Sequence, residues 1–167
     1  MSKSSLKPEQ ILTLLEETPA RIADLTAGLT AAQLHARPDP NNDAWSANDL
    51  LAHVRSCADM WGGSIMAMIA QDNPTIRAIN PRTWIKQTDY PQQDFRRSLD
   101  AFTRQRADLL AALKALPPEG WSRGATVTGA GALLHRTVLS YAQWLARHER
   151  PHVKQFAHIA ETVGTTQ

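Results

Sequence analysis

The chain has 167 residues with 18 lysines and arginines against 16 aspartates and glutamates, and this net charge of +2 is too small to call for a polyanionic partner such as nucleic acid. Its length suits a single domain over residues 1–167, and its one cysteine, Cys57, excludes an intrachain disulfide and suits a reducing compartment. The opening "MSKSSLKPEQ" lacks the apolar stretch of a secretion signal and no uncharged run approaches the ~18 residues of a spanning helix, so a soluble cytoplasmic protein is expected, with no membrane partner.

Four long stretches follow a 3.6-residue apolar period and none alternates convincingly with period two, which predicts an all-α fold, a four-helix bundle with long crossover loops. The first stretch starts at Pro8 and carries Ile11, Leu14, Leu15, Ile22, Leu25 and Leu29 on one stripe, ending near residues 28–30. Pro19 is expected to bend it, with Thr18 capping a restarted turn. "TAAQLHARP" follows as a short piece capped by Thr30, and "DPNND" is a polar link. The second helix opens at Ser46, where Asp49 three residues on completes a near capping box, and runs to about Asp72 with Leu50, His53, Val54, Cys57, Trp61, Ile65 and Met68 inward.

The third helix starts after Tyr90-Pro91, stops before Pro117-Pro118 and turns Phe95, Leu99, Phe102, Leu109, Leu110, Leu113 and Leu116 inward, with Arg106 on the same line. The fourth spans about Ala132 to Thr162 and presents Leu134, Val138, Tyr141, Leu145, His148, His152, Phe156 and Ile159. The connections "NPTIRAINPRTWIKQTDY" and "PPEGWSRGATVTGAG" are long for bundle turns and are expected to lie across one end as a lid or rim.

Three imidazoles interrupt these stripes: His53 in the second helix, His148 and His152 in the fourth. A buried imidazole needs partners for both ring nitrogens, and three converging in a core are costly unless a cation meets them. Residues four apart share a helix face, so His148 and His152 are close enough to share one ion at ~2.0–2.1 Å while His53 supplies a third ligand from another helix. Three protein ligands leave a position open for water or substrate, and imidazole donors suit Zn, Ni, Fe or Co alike. His35, His135 and His158 fall off the stripes and read as surface or capping residues. Pro151 removes the helical donor to the Arg147 carbonyl, bending the helix at the site or following the curvature of the bundle.

Other residues carry open alternatives. Cys57, one turn beyond His53, is either a small core side chain or a thiolate ligand. Arg106 is a candidate clamp for a substrate or cofactor carboxylate, against the commoner roles of snorkelling to solvent or pairing with a core acid. Asp49 is a candidate for orienting His53, whereas Glu149 lies about 100° around the helix from His148. Trp61 and Trp144 read as core or a dimer face, Trp84 and Trp121 as a pocket mouth, and Arg96-Arg97 and Arg104 to Arg106 as solvated faces.

"WSANDLLAHVRSCADMW" followed by "YAQWLARHERPHVKQF", with "EETPARIADLTAGLTAAQL" and "WSRGATVTGAGALL", resembles the DinB-like family of four-helix bundles across essentially the whole chain. The resemblance takes in YfiT-like hydrolases regarded as metal-dependent and bacterial transferases of thiols such as mycothiol or bacillithiol. It implies one divalent metal on His53, His148 and His152, a small-molecule substrate, a low-molecular-weight thiol as cosubstrate, and a homodimer. It implies no DNA-related activity. The resulting expectation is a metal-dependent hydrolase or thiol transferase; the alternative is a non-catalytic bundle that binds a metal or small ligand and dimerises, with Cys57 closing the site.

Overall fold

Each long helix of the computed structural model, which describes residues 5–41 and 43–165, opens where a side chain or a proline deals with the orphan N–H groups of the first turn. Residues outside that range include part of the N-terminal stretch and Asn42 of the polar link. α1 (Pro8–Thr26) places Pro8 at its start, and α2 (Ala31–His35) is capped by Thr30. In α3 (Ala47–Ala70) the Ser46 hydroxyl accepts from the Asp49 N–H at 3.0 Å and the Asp49 carboxylate accepts from the Ser46 N–H at 3.1 Å, the reciprocal arrangement expected from "SANDL". After the short α4 (Pro81–Trp84), α5 (Phe95–Lys114) is capped by Asp94 and α6 (Val138–Gly164) by Thr137.

The four long helices form the bundle that the periodicity predicts. α1 and α3 each pack against both α5 and α6, so α1 faces α3, and α5 faces α6, across the diagonals. Two apolar clusters stack along this bundle. One gathers Ile11, Leu15, Ile65, Leu109, Leu113 and Leu145, the other Ile22, Leu50, Val54, Phe102, Phe156 and Ile159.

A small sheet closes the first of these ends, and the period-two reading missed it. β1 (Thr75–Arg77) pairs in parallel with β2 (Gly124–Thr128), which pairs antiparallel with β3 (Leu134–Thr137). The strands are three to five residues long, too short for an alternation to stand out, yet Ala125 and Val127 of β2 turn into the core while their neighbours stay partly exposed. Gly129 and Gly131, at φ +83° and +88°, turn the chain between β2 and β3 in a region where a side chain is strained. The fourth helix therefore starts at Val138 rather than near Ala132, because Leu134 pairs with Val127 and Thr137 caps the first turn.

Between the two apolar clusters lies a polar layer. Arg106 is 2% exposed and Glu149 1%, and the guanidinium meets the carboxylate as a fork: Nη1 donates to Oε2 at 2.9 Å and Nη2 donates to Oε1. The pair crosses the α5/α6 diagonal. Nη1 also donates to the Leu15 carbonyl at 2.9 Å, the carbonyl that Pro19, having no N–H, leaves without its helical donor. α1 runs through Pro19 as one helix, which corrects the expected cap: the Thr18 hydroxyl donates back to the Leu14 carbonyl at 2.9 Å instead of capping a restarted turn.

Removing one partner of this pair leaves a buried charge alone. Arg106→Met should lower unfolding stability by about 3–5 kcal/mol, and Arg106→Met with Glu149→Leu should recover most of it, both read from urea midpoints. A single-variant loss below ~1 kcal/mol would show that the pair does not hold the layer together.

Candidate metal centre

The inward faces of α3 and α6 bring the histidines together beside this polar layer. His53 and Cys57 stand one turn apart on α3, His148 and His152 one turn apart on α6, and the two helices pack along their length. The Nε2 atom of His148 lies 3.1 Å from Nε2 of His53 and 3.1 Å from Nε2 of His152. The Cys57 sulfur is 3.7 Å from Nε2 of both His53 and His148. Ligand atoms of His53, Cys57 and His148 all lie within 4.8 Å of one another, and this group could hold a metal ion.

Hydrogen bonding alone does not satisfy this cluster. Gln155 Oε1, an acceptor, lies 3.0 Å from His152 Nδ1, a contact that favours the tautomer with its proton on Nδ1 and the Nε2 lone pair toward His148. His148 Nε2 has one in-plane site and two imidazole neighbours, and its Nδ1 is buried without a partner among the described residues. Burial, the charge of His152 and the charge of Arg82 lower the His53 pKa to about 4; burial, His152 and His53 do the same to His148. Both rings are therefore neutral near pH 7, the form that donates a lone pair to a cation. Burial, and then the Glu149 carboxylate, push the Cys57 thiol up to about 12.

Aromatic rings orient the imidazoles. Trp45 packs on His53 with ring centres 5.0 Å apart, and Trp61 meets His148 edge-on at 4.9 Å while stacking on Trp144 at 5.1 Å. Trp45 and Gln155 were not singled out from the sequence, although Gln155, three residues after His152, was within reach of the same spacing argument.

Three of the cavities among the described residues lie against α3 near the cluster. One of about 410 Å³ between α3 and α5 is bordered by Asp59, Trp84, Tyr90, Gln105 and Arg106. One of about 340 Å³ is bordered by Trp61, Arg77, Arg136, Tyr141 and Trp144. The smallest, about 180 Å³, opens over His53 between Arg37, Trp45, Arg82 and Ile85. The connection between α3 and α5 thus contributes to the cavity rims, as its length predicts.

A family model described as the DinB superfamily matches residues 14–156. The chain belongs to the DinB superfamily. YfiT from Bacillus subtilis, described as a probable metal-dependent hydrolase with an unusual four-helix bundle topology, superposes with a TM-score of 0.78, covering 98% of this chain and 93% of that one at 17% identity. At that identity the likeness speaks for the superfamily fold alone. No curated protein matches the chain.

The remaining residues singled out from the sequence have clear surroundings. Arg106 borders the cavity of about 410 Å³, but its fork is engaged by a protein carboxylate, Glu149. Asp49 serves its cap and lies 3.9 Å from Arg37, with no bond to His53 among the described residues. Trp121 is core, whereas Trp84 donates its indole N–H to Asp59 at 3.0 Å. His35, His135 and His158 are exposed. No helix among the described residues is long and apolar enough to cross a membrane.

Asp59 is a hub that the sequence did not reveal: it accepts from Trp84, from the Tyr90 hydroxyl at 2.6 Å and from Gln105, fixing the loop before α5 to α3. Burial, then the bond to Asp59 and its charge, push the Tyr90 hydroxyl from its usual 10.0 up to about 12, against the opposing charge of Arg55. The unfolded phenol loses its proton near pH 10 while the folded one keeps it, so the stability from this contact is complete below pH 10 and is lost as pH rises toward 12. Denaturant midpoints across that range should fall for the native chain, and less steeply for Tyr90→Phe. Equal slopes for the two proteins would contradict the assignment.

Proposed function

We propose that this chain is a metal-dependent enzyme whose divalent transition metal, Zn, Ni or Fe, is held by His53, His148 and His152, and whose reaction is a hydrolysis or the transfer of a low-molecular-weight thiol to a small electrophile. The observation that carries this reading is the position of His148 Nε2, 3.1 Å from the same atom of each neighbour. Nitrogens bound at ~2.0–2.1 Å to one ion stand about 3.0–3.4 Å apart, so each of these two pairs has the spacing of two ligands on one cation. The solved structure of similar fold, described as a probable metal-dependent hydrolase, supports it independently of these distances.

Each residue has a defined task in this reading. Burial keeps His53 and His148 neutral, so their lone pairs are available at neutral pH. Gln155 fixes the tautomer of His152 so that its Nε2 faces the cluster, as partners of metal-binding histidines commonly do. Trp45 and Trp61 restrict ring rotation and exclude water from one side of each imidazole. A metal bound there supplies Lewis acidity, lowering the pKa of a water or thiol toward neutrality. With that acidity available, no side chain of the chain is needed as a general base. Pairing with a second copy, over the side where Trp144 is 47% exposed, and a reducing compartment suited to the unpaired Cys57 complete the proposal.

A second reading is favoured by one contact. With its sulfur 3.7 Å from both His53 and His148, Cys57 can join the three histidines as a fourth ligand and close the site, which then serves stability rather than chemistry. Metal titration of the chelated protein separates the two. The native chain should take up one equivalent, His148→Ala none, His152→Ala should bind weaker by about two orders of magnitude, and Gln155→Ala by about tenfold. Cys57→Ala should keep the metal, and the loaded protein should cleave an activated aryl ester or conjugate a thiol to an electrophile in a metal-dependent way. Loss of metal in Cys57→Ala as well as in His152→Ala would make Cys57 a fourth ligand and replace the enzyme reading by the structural one.

A further inference from the structure

Of the cavities described above, the one bordered by an imidazole of the cluster is the smallest, about 180 Å³ over His53. Its volume is below the ~300–1,000 Å³ of sites for drug-sized ligands, which limits it to a compact molecule. Two guanidinium groups border it, Arg37 and Arg82, against one carboxylate, Asp49. That carboxylate already accepts from the Ser46 N–H, and it meets Arg37 through Nε at 3.9 Å in a pair whose arginine side chain is 55% exposed. Arg82, on α4, has no ion pair among the described residues. Two cations against one anion leave the cleft with a surplus positive charge. Trp45, Ile85 and Pro91 add apolar surface to its lining, with the Trp45 ring 5.0 Å from that of His53.

We propose that this cleft binds a small organic acid, its carboxylate or phosphate held between Arg37 and Arg82 and its apolar body laid against Trp45, Ile85 and Pro91. Guanidinium forks match both acid groups by paired N–H donors, and the cation surplus disfavours neutral or cationic molecules of the same shape. That the acid is the substrate of the histidine centre rests on the function proposed above; that it binds does not, because neither arginine is among the metal-binding histidines. The cleft brings a bound acid alongside His53, so its unsaturated or esterified part would sit next to the cluster.

The test is calorimetric titration of the full chain with benzoate, phenyl phosphate and neutral benzamide in phosphate-free buffer, once after chelation and once after loading with Zn. Benzoate or phenyl phosphate should bind in both states, with benzamide about tenfold weaker or more. Arg37→Gln and Arg82→Gln should each weaken the anions about tenfold, Arg82→Glu further, and none should change benzamide. Both arginines are exposed, so the variants should keep the native melting temperature. A preference for benzoate selects a carboxylate and a preference for phenyl phosphate selects a phosphate. Equal binding of benzamide, no binding of either anion, or anion affinity indifferent to both arginines overturns the proposal. Anion binding that appears only with Zn and survives both arginine changes also overturns it, while leaving the metal reading intact. Arginine-dependent anion binding in a chain that takes up no metal overturns the metal reading alone.

Discussion

The buried fork between Arg106 and Glu149 is the constraint on which the centre of this bundle depends. It joins two helices that face each other across a diagonal, and through the Leu15 carbonyl it holds a third. Desolvating two charges is unfavourable unless every donor and acceptor is met, so the pair tolerates little sliding of α6 relative to α5. Glu149 follows His148 directly, and the register that seats the carboxylate also sets the height at which His148 and His152 meet α3.

Proline takes part in this arrangement in two ways. Pro19 lies in a buried stretch, and the carbonyl it leaves unpaired is met by a protein donor, so the irregularity in α1 becomes an acceptor for the charged layer. Pro151 is exposed, and so is Arg147, whose carbonyl loses its helical donor, and α6 continues through it with His152 still within reach of His148. The same residue type thus adds a contact where burial demands one and costs little where solvent can serve.

The connections do as much as the helices to define what can reach the centre. α4 and the turns before α5 border two of the cavities, and Asp59 ties them down through Trp84 and Tyr90. Sheet and aromatic side chains border the third, together with Pro81 at the start of α4. The chemistry of the site is therefore set by α3 and α6, while access and charge at its mouth are set by segments without a long-range period of their own.

Local patterns determined the four helices, their caps at Thr30 and Ser46, and the placement of His53, Cys57, His148 and His152 on inward faces, because each of these depends on residues within one or two turns. The resemblance of the helical motifs carried the superfamily as well. What lay beyond that range was decided by the tertiary structure. The strands are too short to show a period and exist because β1 and β2, separated by α5, find each other. Arg106 could be placed on an inward line, but its partner is distant in sequence and on the opposite helix. Trp45, Arg37 and Arg82 meet over His53 only when the connections on either side of α3 fold onto it. Periodicity reports which way a side chain faces; which side chain it meets depends on long-range packing that no local spacing encodes.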